Sequence, residues 1–350
     1  MREFVIGVDI GATKSHLALF DTEGNFADLG HWGPLNYEVL PGLYAQFEDE
    51  FGQLVTKILS KNGITMKEVS YSVLGVGGVD TKIQHGIISE ILRKLKFEKF
   101  TLVNDAFLGI PAGTRTGLGI CAINGSGCTL AGINKKGEMM QIGGVGPVSA
   151  DMGGGRYIGE RLVSAVYNEL FRKGEPTHMT GLLFEKLGIT SRYDYIEKIH
   201  EKTLDGSFSI NTCSHMVFEA VGQNDPVAAG ILLEVASNYA NGISCLIEEL
   251  DFPMEDELII VFAGSVFVKG KHPFLLDSLT AKISSDNPGR NIVCKKLDVP
   301  NVAGAVIWAL NVFSASAGGT GQRQVLDAPL HYNSVYYEKV CAQLRDRGSG

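Results

Sequence analysis

Short apolar runs alternate with longer amphipathic stretches through the first third of the chain. The stretches at 43–62 and 82–96 repeat apolar residues at helical spacing, so each predicts a helix with one apolar face. The apolar runs between them are short and bounded by glycine or polar residues, which is typical of buried strands. The pattern predicts strands at 4–8, 15–20, 26–33, 69–76 and 100–103 and helices at 43–62, 82–96 and 106–114.

The same order of elements returns in the second part of the chain, with insertions. Strands are predicted at 119–123, 129–133, 139–142, 258–262 and 292–296, and helices at 157–172, 226–250, 273–284 and 302–313. Asp225 and Pro226 are suited to the N-cap and first position of the long helix. We therefore expect a duplicated βββαβαβα order, in which strands and crossover helices form an α/β layer fold with a cleft between two similar domains.

The domain boundaries follow from this repeat. The first domain is expected at 1–116 and the second at 117–313, with inserted helices near 173–223. The tail at 314–350 is polar and glycine-rich, then weakly helical from about residue 334, and no function is assigned to it.

The repeat is also visible in the turns. The segment 11–24 matches the segment 124–137, with Asp21 aligned to Asn134 and Gly24 to Gly137 at a constant offset of 113 residues. Both segments follow an apolar strand and lead through a turn to another strand. Two such units facing each other could hold one ligand from both sides, so the repeat favours a ligand-binding role for each turn.

Composition limits the class of protein. Apolar residues make up 45% and charged residues 20%, and the net charge of −8 argues against coating nucleic acid. Apolar runs of about 18 residues, the length of a membrane span, are not found in the sequence. The chain enters a strand by residue 4, so we expect no signal peptide. Six scattered cysteines without a C-x-x-C pair predict reduced thiols and a cytoplasmic location.

The first glycine turn collects groups that bind phosphate. Gly11 permits a positive φ and a close approach of backbone to ligand, and successive N–H groups in such a turn form an anion site. Thr13 and Ser15 add hydroxyl donors, Lys14 adds charge, and Asp9 can hold a hard cation that binds phosphate. We interpret the turn as a nucleotide-phosphate loop with its metal ligand. An ordinary β-hairpin turn is the alternative.

Two other phosphate loops are excluded. A Walker A loop places Gly-Lys-Ser/Thr at the start of a helix, whereas Lys14-Ser15 follows Thr13 and precedes a predicted strand. A dinucleotide-binding fingerprint needs G-x-G-x-x-G before a helix, and it is missing.

Ligands of parallel α/β sheets gather at the carboxyl ends of strands, where Gly77-Gly78, Asp105 and Gly264-Ser265 are predicted to lie.

Four motifs in order carry a family resemblance. VDIGATKS at 8–15, VNDA at 103–106, INGSGCTLAG at 123–132 and FAGSVF at 262–267 resemble the phosphate-1, connecting, phosphate-2 and adenosine motifs of the sugar kinase, Hsp70 and actin superfamily. Within it the chain resembles the N-acetylglucosamine kinase branch, the BadF/BadG/BcrA/BcrD-type ATPases, over residues 4–313. The resemblance implies two ribonuclease H-like domains, an interdomain ATP cleft, ATP and Mg²⁺ as cofactors, and phosphorylation of an amino sugar.

The resemblance also implies roles for individual residues. Asp9 would help to place Mg²⁺, Asp105 would be the catalytic base, and Asn36, Asn104 and Asp151 would hold the sugar. The nucleotide would be contacted by Gly11, Thr13, Lys14, Gly125, Ser126, Gly127, Gly264 and Ser265. N-acetylglucosamine is the first expected substrate. N-acetylmuramic acid is the second, since Arg156 could supply a cation for its carboxylate.

Structural alternatives stay open for several of these residues. Asp105 could cap the short helix that it precedes, Asp151 could cap the helix beginning near Gly155, and Asn36 could be a turn residue after Pro34. The glycines at 153–155 could be a flexible connector rather than a ligand loop.

Other functions of this fold are weighed against the kinase. An ATPase activator of a 2-hydroxyacyl-CoA dehydratase and an ATP-driven switch remain alternatives, although the latter would need a substrate domain after residue 313. A sugar-responsive repressor would need a DNA-binding extension, and the related kinases with a zinc motif need clustered Cys and His. The expected partner is a small sugar, not nucleic acid or a membrane, and a homodimer is left open.

Overall fold

A computed structural model describes residues 2–317, 332–345 and 347 of the chain. The first half contains β1 (Phe4–Ile10), β2 (Ser15–Asp21), β3 (Phe26–Trp32), β4 (Val69–Val76) and β5 (Phe100–Val103). These strands form a mixed sheet in the order β3-β2-β1-β4-β5. The β1–β2–β3 meander is antiparallel, whereas β1, β4 and β5 run parallel because helices connect them.

The second half builds the same sheet again. Its strands are β6 (Gly119–Asn124), β7 (Cys128–Ile133), β8 (Met139–Gly143), β9 (Leu258–Ala263) and β10 (Ile292–Lys296). Their order, β8-β7-β6-β9-β10, matches that of the first sheet strand for strand. The predicted duplication and the α/β fold class are therefore confirmed.

The duplicated turns share their hydrogen bonds as well as their sequence pattern. Asp21 Oδ1 accepts bonds from the backbone N–H groups two and four residues later, at 3.1 and 2.8 Å. Asn134 Oδ1 accepts from the same two positions at 3.0 and 2.9 Å. Gly24 and Gly137 follow with φ of 80° and 81°, where a side chain would be strained. The 113-residue offset thus relates two copies of one hairpin.

Helices cover both faces of the first sheet. On its outer face α1 (Leu43–Lys61) and α2 (Lys82–Lys94) bury an apolar cluster that includes Phe47, Phe51 and Ile88. On the inner face α11 (Val302–Ala317) packs on β1 and β4, and α3 (Gly109–Gly113) packs on β6 and β9 of the second sheet. These two helices contact each other, so each half of the chain contributes a helix to the layer between the sheets.

The second half carries the larger helical layer. It contains α4 (Gly154–Phe171), α5 (His178–Leu187), α6 (Tyr195–Leu204), α7 (Ser214–Gly222), α8 (Pro226–Glu249), α9 (Ser265–Lys269) and α10 (Phe274–Asp286). The predicted cap of α8 is confirmed, since Asp225 Oδ1 accepts from the N–H groups of Val227 and Ala228 at 2.8 and 3.0 Å. Helices α5–α7 lie in the predicted insertion.

The end of the chain differs from the expectation in one respect. The helix predicted at 302–313 is α11, which continues to Ala317 because residues 314–317 contain neither glycine nor proline. The expected helix from residue 334 is α12 (Ser334–Leu344), which is anchored to the first sheet. Gln343 accepts from Phe26 N at 2.8 Å and donates to Gly24 O at 2.9 Å. Residues 318–331 of the predicted tail lie outside the described residues.

Two further expectations can be compared with the described part of the chain. All six cysteines are free of disulfides, as predicted. Within residues 2–317 and 332–345, no helix is long and apolar enough to cross a bilayer.

A glycine in α11 sets how closely this helix approaches the turn after β5. A Cβ on Gly304 would collide with the carbonyl oxygen of Leu108. We expect Gly304→Ala to destabilise the fold by about 1–3 kcal/mol, because the overpacked contact is with backbone and cannot be relieved by a rotamer. Chemical denaturation checks the value. As the matched control, Gly230→Ala in α8 meets open space and should be neutral or stabilising. Equal effects of the two substitutions would contradict the close packing.

Candidate active site

Three neighbouring strands bring Asp9 and Asp105 to one edge of the first sheet. Asp9 on β1 is paired with Gly75 on β4, and Gly75 is paired with Val103 on β5, two residues before Asp105. A Cβ on Gly75 would lie 3.1 Å from Asp105 Cα, so the bare glycine lets the turn after β5 pack against β4. Asp105 therefore follows a strand end, as the sequence predicts.

The turn that carries Asp105 is capped by its neighbour. Residues Asp105–Leu108 form a 3₁₀ turn, and Asn104 Oδ1 accepts from Ala106 N at 2.9 Å. The alternative in which Asp105 is the cap is therefore wrong. The pKa of the Asp105 carboxyl is raised to about 8. Burial is the main cause, and the negative charges of Asp9 and Asp80 contribute to the rise. Such a group is a stronger base than an ordinary carboxylate.

Sequence reasoning missed a third residue at this edge, Asn301, which precedes α11. Its Nδ2 donates to the Asp105 carbonyl oxygen at 2.9 Å and lies 3.4 Å from Asp9 Oδ1. Its Oδ1 is buried and has no partner within the described residues. Asn301 thus links the two carboxylate-bearing segments through a residue from the second half of the chain.

The first glycine turn is fixed by backbone bonds on both sides. Gly11 N donates to Lys14 O at 3.2 Å, and Gly11 O accepts from Leu35 N and Asn36 N, both at 3.3 Å. Gly11 does not have the positive φ that the sequence allowed; what it provides is close approach, since a Cβ would lie 3.1 Å from Lys14 O. Thr13 and Lys14 are exposed at the tip of the turn.

The second glycine turn is fastened to the start of α4. Gly125 N donates to Gly127 O at 3.0 Å, and Gly155 N donates back to Gly125 O at 2.8 Å. Asn124 Oδ1 accepts from Gly154 N at 2.8 Å. Ser126 and Gly127 remain exposed at the tip. The N-terminus of α4 and this turn therefore form one unit, in which the helix dipole is directed at the turn and can act on an anion there.

The three glycines at 153–155, where α4 begins, are a packed junction rather than a flexible connector. A Cβ on Gly153 would lie 2.7 Å from the Tyr239 ring, and one on Gly155 would lie 2.5 Å from a backbone oxygen. Gly154 has a φ of +81° and a Cβ on it would lie 2.5 Å from Ser126 O. Each position excludes a side chain for its own reason, and together they allow α4 to dock on the turn.

The predicted adenosine-contacting pair follows β9. Gly264 has a φ of +86°, and a Cβ there would overlap the backbone of Asn124. Ser265 is exposed and begins α9. The pair thus lies directly beside the strand that leads into the second glycine turn.

Asn36 is a turn residue, as one of the two interpretations of the sequence has it, and its contact with a sugar stays a prediction. Its Oδ1 accepts from Glu38 N at 2.9 Å, so it caps the short turn Tyr37–Val39. Its Nδ2 faces Gly77: a Cβ placed there would lie 3.3 Å from this nitrogen and 3.8 Å from the Asp105 carboxyl carbon. The Asn36 amide and the Asp105 carboxyl are therefore brought together across one glycine.

Asp151 organises a glycine-rich loop that follows β8 in the second half of the chain. Its Oδ2 accepts from Gly144 N and Gly146 N at 3.0 and 2.8 Å, and its Oδ1 accepts from Ser149 Oγ at 2.9 Å. The alternative in which Asp151 caps α4 is wrong, because Gly153 holds that position and no side chain caps the helix. A direct bond from Asp151 to a sugar stays a prediction.

Asp80 is the second residue that sequence reasoning missed, and it joins the two halves of the molecule. Its Oδ1 accepts from Asn104 Nδ2 at 2.9 Å and from Gln141 Nε2, on β8, at 2.5 Å. A Cβ on Gly144 would lie 2.9 Å from the same oxygen. Burial raises the pKa of Asp80 to about 6, and the charges of Glu38 and Asp151 contribute to the rise. At neutral pH the group is an anion in the cleft.

The donor set at Asp9 suits a cation held jointly with a nucleotide. Among residues 2–317, 332–345 and 347, no group of three or more His, Cys, Asp or Glu side chains could enclose a metal by itself. Mg²⁺ is commonly held by one or two carboxylates together with substrate phosphates, so an enclosing group is not required. Asp9 and Asp105 have no lysine or arginine partner within these residues, and Asp9 Oδ2 lies 3.7 Å from His16 Nδ1.

Fold and site together define a class. Two copies of one α/β domain each present a glycine turn at the carboxyl edge of their parallel strands, and helices from both halves interlock between the sheets. This is the two-domain, actin-like ATPase fold. The model of the BadF/BadG/BcrA/BcrD ATPase family matches residues 6–309, and the chain belongs to that family.

Curated relatives cover nearly the whole chain. It is 26% identical over 308 residues to the N-acetylmuramic acid/N-acetylglucosamine kinase of Clostridium acetobutylicum, covering 88% of this chain and 98% of the relative. It is 28% identical over 323 residues to the N-acetyl-D-glucosamine kinase of Dictyostelium discoideum, covering 89% and 98%.

Solved structures agree in fold. A candidate N-acetylglucosamine kinase from Chromobacterium violaceum is similar with a TM-score of 0.65 at 18% identity, covering 87% of this chain and 98% of that one. A ROK family glucokinase from Streptomyces griseus, in complex with glucose and AMPPNP, is similar with a TM-score of 0.53 at 17% identity, covering 87% and 99%.

Proposed function

We propose that this protein transfers the γ-phosphoryl group of ATP to a hydroxyl of an amino sugar, with N-acetylglucosamine as the first substrate. The relatives over nearly the full chain support the reaction. The observation that carries the proposal is the carboxyl of Asp105, which lies beside the Asn36 amide and close to the charge of Asp9. A base, a polar sugar contact and a metal ligand thus meet at one edge of the sheet.

The nucleotide is assigned to the two glycine turns. Gly11, Thr13 and Lys14 would face the phosphates from the first half of the chain, and the turn at 125–127 would face them from the second. Gly264 and Ser265 would lie against adenosine. Asp9 would hold Mg²⁺, which when bound neutralises charge on the phosphate oxygens. We place the two domains at 1–116 and 117–313.

The transfer step needs one proton acceptor. The sugar hydroxyl oxygen attacks the γ-phosphorus as the bond to the β–γ bridging oxygen breaks, and ADP leaves with that electron pair. Asp105 takes the hydroxyl proton, and its raised pKa suits this task. Asn301 holds the Asp105 backbone in place while this happens. Asn36, Asn104 and Asp151 would orient the sugar hydroxyls and the N-acetyl group.

A screen of acceptors tests the proposal directly. We expect ATP consumption with N-acetylglucosamine to exceed consumption with glucose by about 10²-fold or more in kcat/KM, because a site built to bond an amide leaves polar groups unpaired when the amide is missing. Coupled ADP release and mass spectrometry of the sugar phosphate provide the measurement. ATP hydrolysis at the same rate with and without any sugar would instead favour an ATP-driven switch.

The six free cysteines fit a cytoplasmic enzyme.

A further inference from the structure

The sugar side of the cleft is lined by carboxylates from separate segments. Glu38 lies against Gly78, since a Cβ on that glycine would be 3.0 Å from the Glu38 carboxylate. Asp151 holds the loop that contains Gly144, and Asp80 lies between these walls, in contact with Gly144 and bonded to Asn104. Asp105 completes the group from the end of β5.

These carboxylates have no cationic partner. Within the described residues, Glu38, Asp80, Asp105 and Asp151 form no ion pair with a lysine or arginine, although such pairs occur elsewhere on the surface. Arg156, the cation that the sequence offered for an acidic sugar, is exposed and pairs with Glu160 at 2.9 Å. Its backbone is attached to Ser126 in the second glycine turn, not to the loop that holds Asp151.

Asp80 occupies the central position in this arrangement. Its Oδ1 accepts hydrogen bonds from both halves of the chain, through Asn104 and Gln141, so it is fixed in place. The charges of Glu38 and Asp151 act on Asp80, and the charge of Asp80 acts on Asp105, so Asp80 interacts electrostatically with carboxylates from three other segments. A fixed anion at this point would repel a negatively charged substituent that a bound sugar brings close to Gly144.

We propose that Asp80 is a specificity-determining residue, which makes the site selective for uncharged N-acetylhexosamines over sugars that carry a carboxylate, such as a 3-O-lactyl ether. This inference rests on the proposed kinase function and defines its substrate class. Sugar hydroxyls and amide N–H groups are donors, which ionised carboxylates accept. A sugar carboxylate is an acceptor only, and like charges brought together in a desolvated site repel strongly.

The test compares three acceptors with the full-length enzyme: N-acetylglucosamine, N-acetylmuramic acid and the methyl ester of N-acetylmuramic acid. We expect wild-type kcat/KM to favour N-acetylglucosamine over the acid by about 10–100-fold, and the ester, which keeps the bulk but loses the charge, to be used better than the acid. Asp80→Asn keeps an oxygen for Asn104 and Gln141 and should reduce the preference over the acid about tenfold. Asp277→Asn, an exposed position on α10, removes the same charge and should leave the ratio unchanged.

The outcomes distinguish a failure of this inference from a failure of the proposed kinase function. If N-acetylglucosamine is phosphorylated but the acid is used equally well, selectivity for neutral sugars is wrong. If the ester is no better than the acid, and Asp80→Asn leaves their ratio to N-acetylglucosamine unchanged, bulk rather than Asp80 sets the limit and the inference is overturned. If neither sugar is phosphorylated while ATP still binds, the kinase function itself fails. The ester comparison needs only the wild-type protein, so discrimination against the charge can be tested even if the Asp80→Asn variant folds poorly.

Discussion

Asp105→Asn is expected to lower kcat by roughly 10²–10⁴, the usual contribution of a positioned general base. Asparagine is nearly isosteric with aspartate and can still bond to the sugar hydroxyl, but it cannot accept the proton as the phosphoryl group moves. Nucleotide affinity should change little, because the glycine turns that would hold ATP do not include this side chain. Single-turnover kinetics with N-acetylglucosamine, together with binding of ADP, provide the two measurements.

Stability is the control for this substitution. The cap of the turn is Asn104, whose side-chain bond to Ala106 is untouched by the change. The raised pKa of Asp105 means that the folded protein disfavours the charged form, so a neutral asparagine should keep or slightly raise the melting temperature. An Asp105→Asn enzyme that is stable and active would refute the base mechanism. One that is inactive because it melts early would point to a structural role.

The pH profile gives an independent check. Since Asp105 must be deprotonated to act and its pKa is about 8, kcat/KM of the wild type should rise with pH and level off near that value. The rising limb of the kcat profile reports the complex with Mg-ATP and sugar. It should lie at lower pH than the limb of kcat/KM, because a bound cation favours the ionised carboxylate. Asp105→Asn should flatten both limbs. A wild-type profile that is flat between pH 6 and about 9 would contradict the assignment.

Much of the fold follows from local patterns in the sequence. The hairpins at 15–33 and 128–143 are specified by short apolar runs and by turns in which Asp21 or Asn134 accepts hydrogen bonds from two later N–H groups, so each copy can be recognised from nearby residues alone. Asp225-Pro226 likewise specifies the start of α8. Strand ends can be located in the same way, which is why the sequence placed Asp105 just after the end of β5.

The residues that were missed depend on contacts between distant segments. Asn301 precedes α11, yet what it bonds is the backbone of Asp105, 196 positions earlier in the chain. Asp80 reads as a loop residue after Gly77-Gly78, and only its bond to Gln141 on β8 shows that it faces the second half. The glycines at 153–155 were ambiguous because their partners, such as Tyr239, are equally remote. No regular spacing in the sequence indicates which of these distant residues are in contact. A polar residue soon after a strand end was the available signal for Asp80.

Asp9→Asn should reduce Mg²⁺-dependent turnover on the order of a hundredfold or more, as expected for a lost electrostatic contact at the transferring phosphate. The fold should survive, because asparagine keeps an oxygen toward Asn301 and Asp9 forms no ion pair with lysine or arginine within the described residues. The Mg²⁺ concentration needed for half-maximal rate should rise, whereas binding of metal-free ADP should change little. Asp49→Asn, an exposed position on α1, makes the same chemical change as a control.

The same variant should also alter the base. Asp9 is one of the charges that raise the pKa of Asp105, so its neutralisation should move the acid limb of kcat/KM to lower pH. A raised Mg²⁺ requirement and a shifted pH limb in one variant, with an unchanged melting temperature, require Asp9 to act at both the cation and Asp105. Near-normal kcat at low Mg²⁺ would remove Asp9 from the metal site. Reduced turnover without any shift in the limb would mean that Asp9 acts on the metal alone and that its charge does not reach the Asp105 carboxyl.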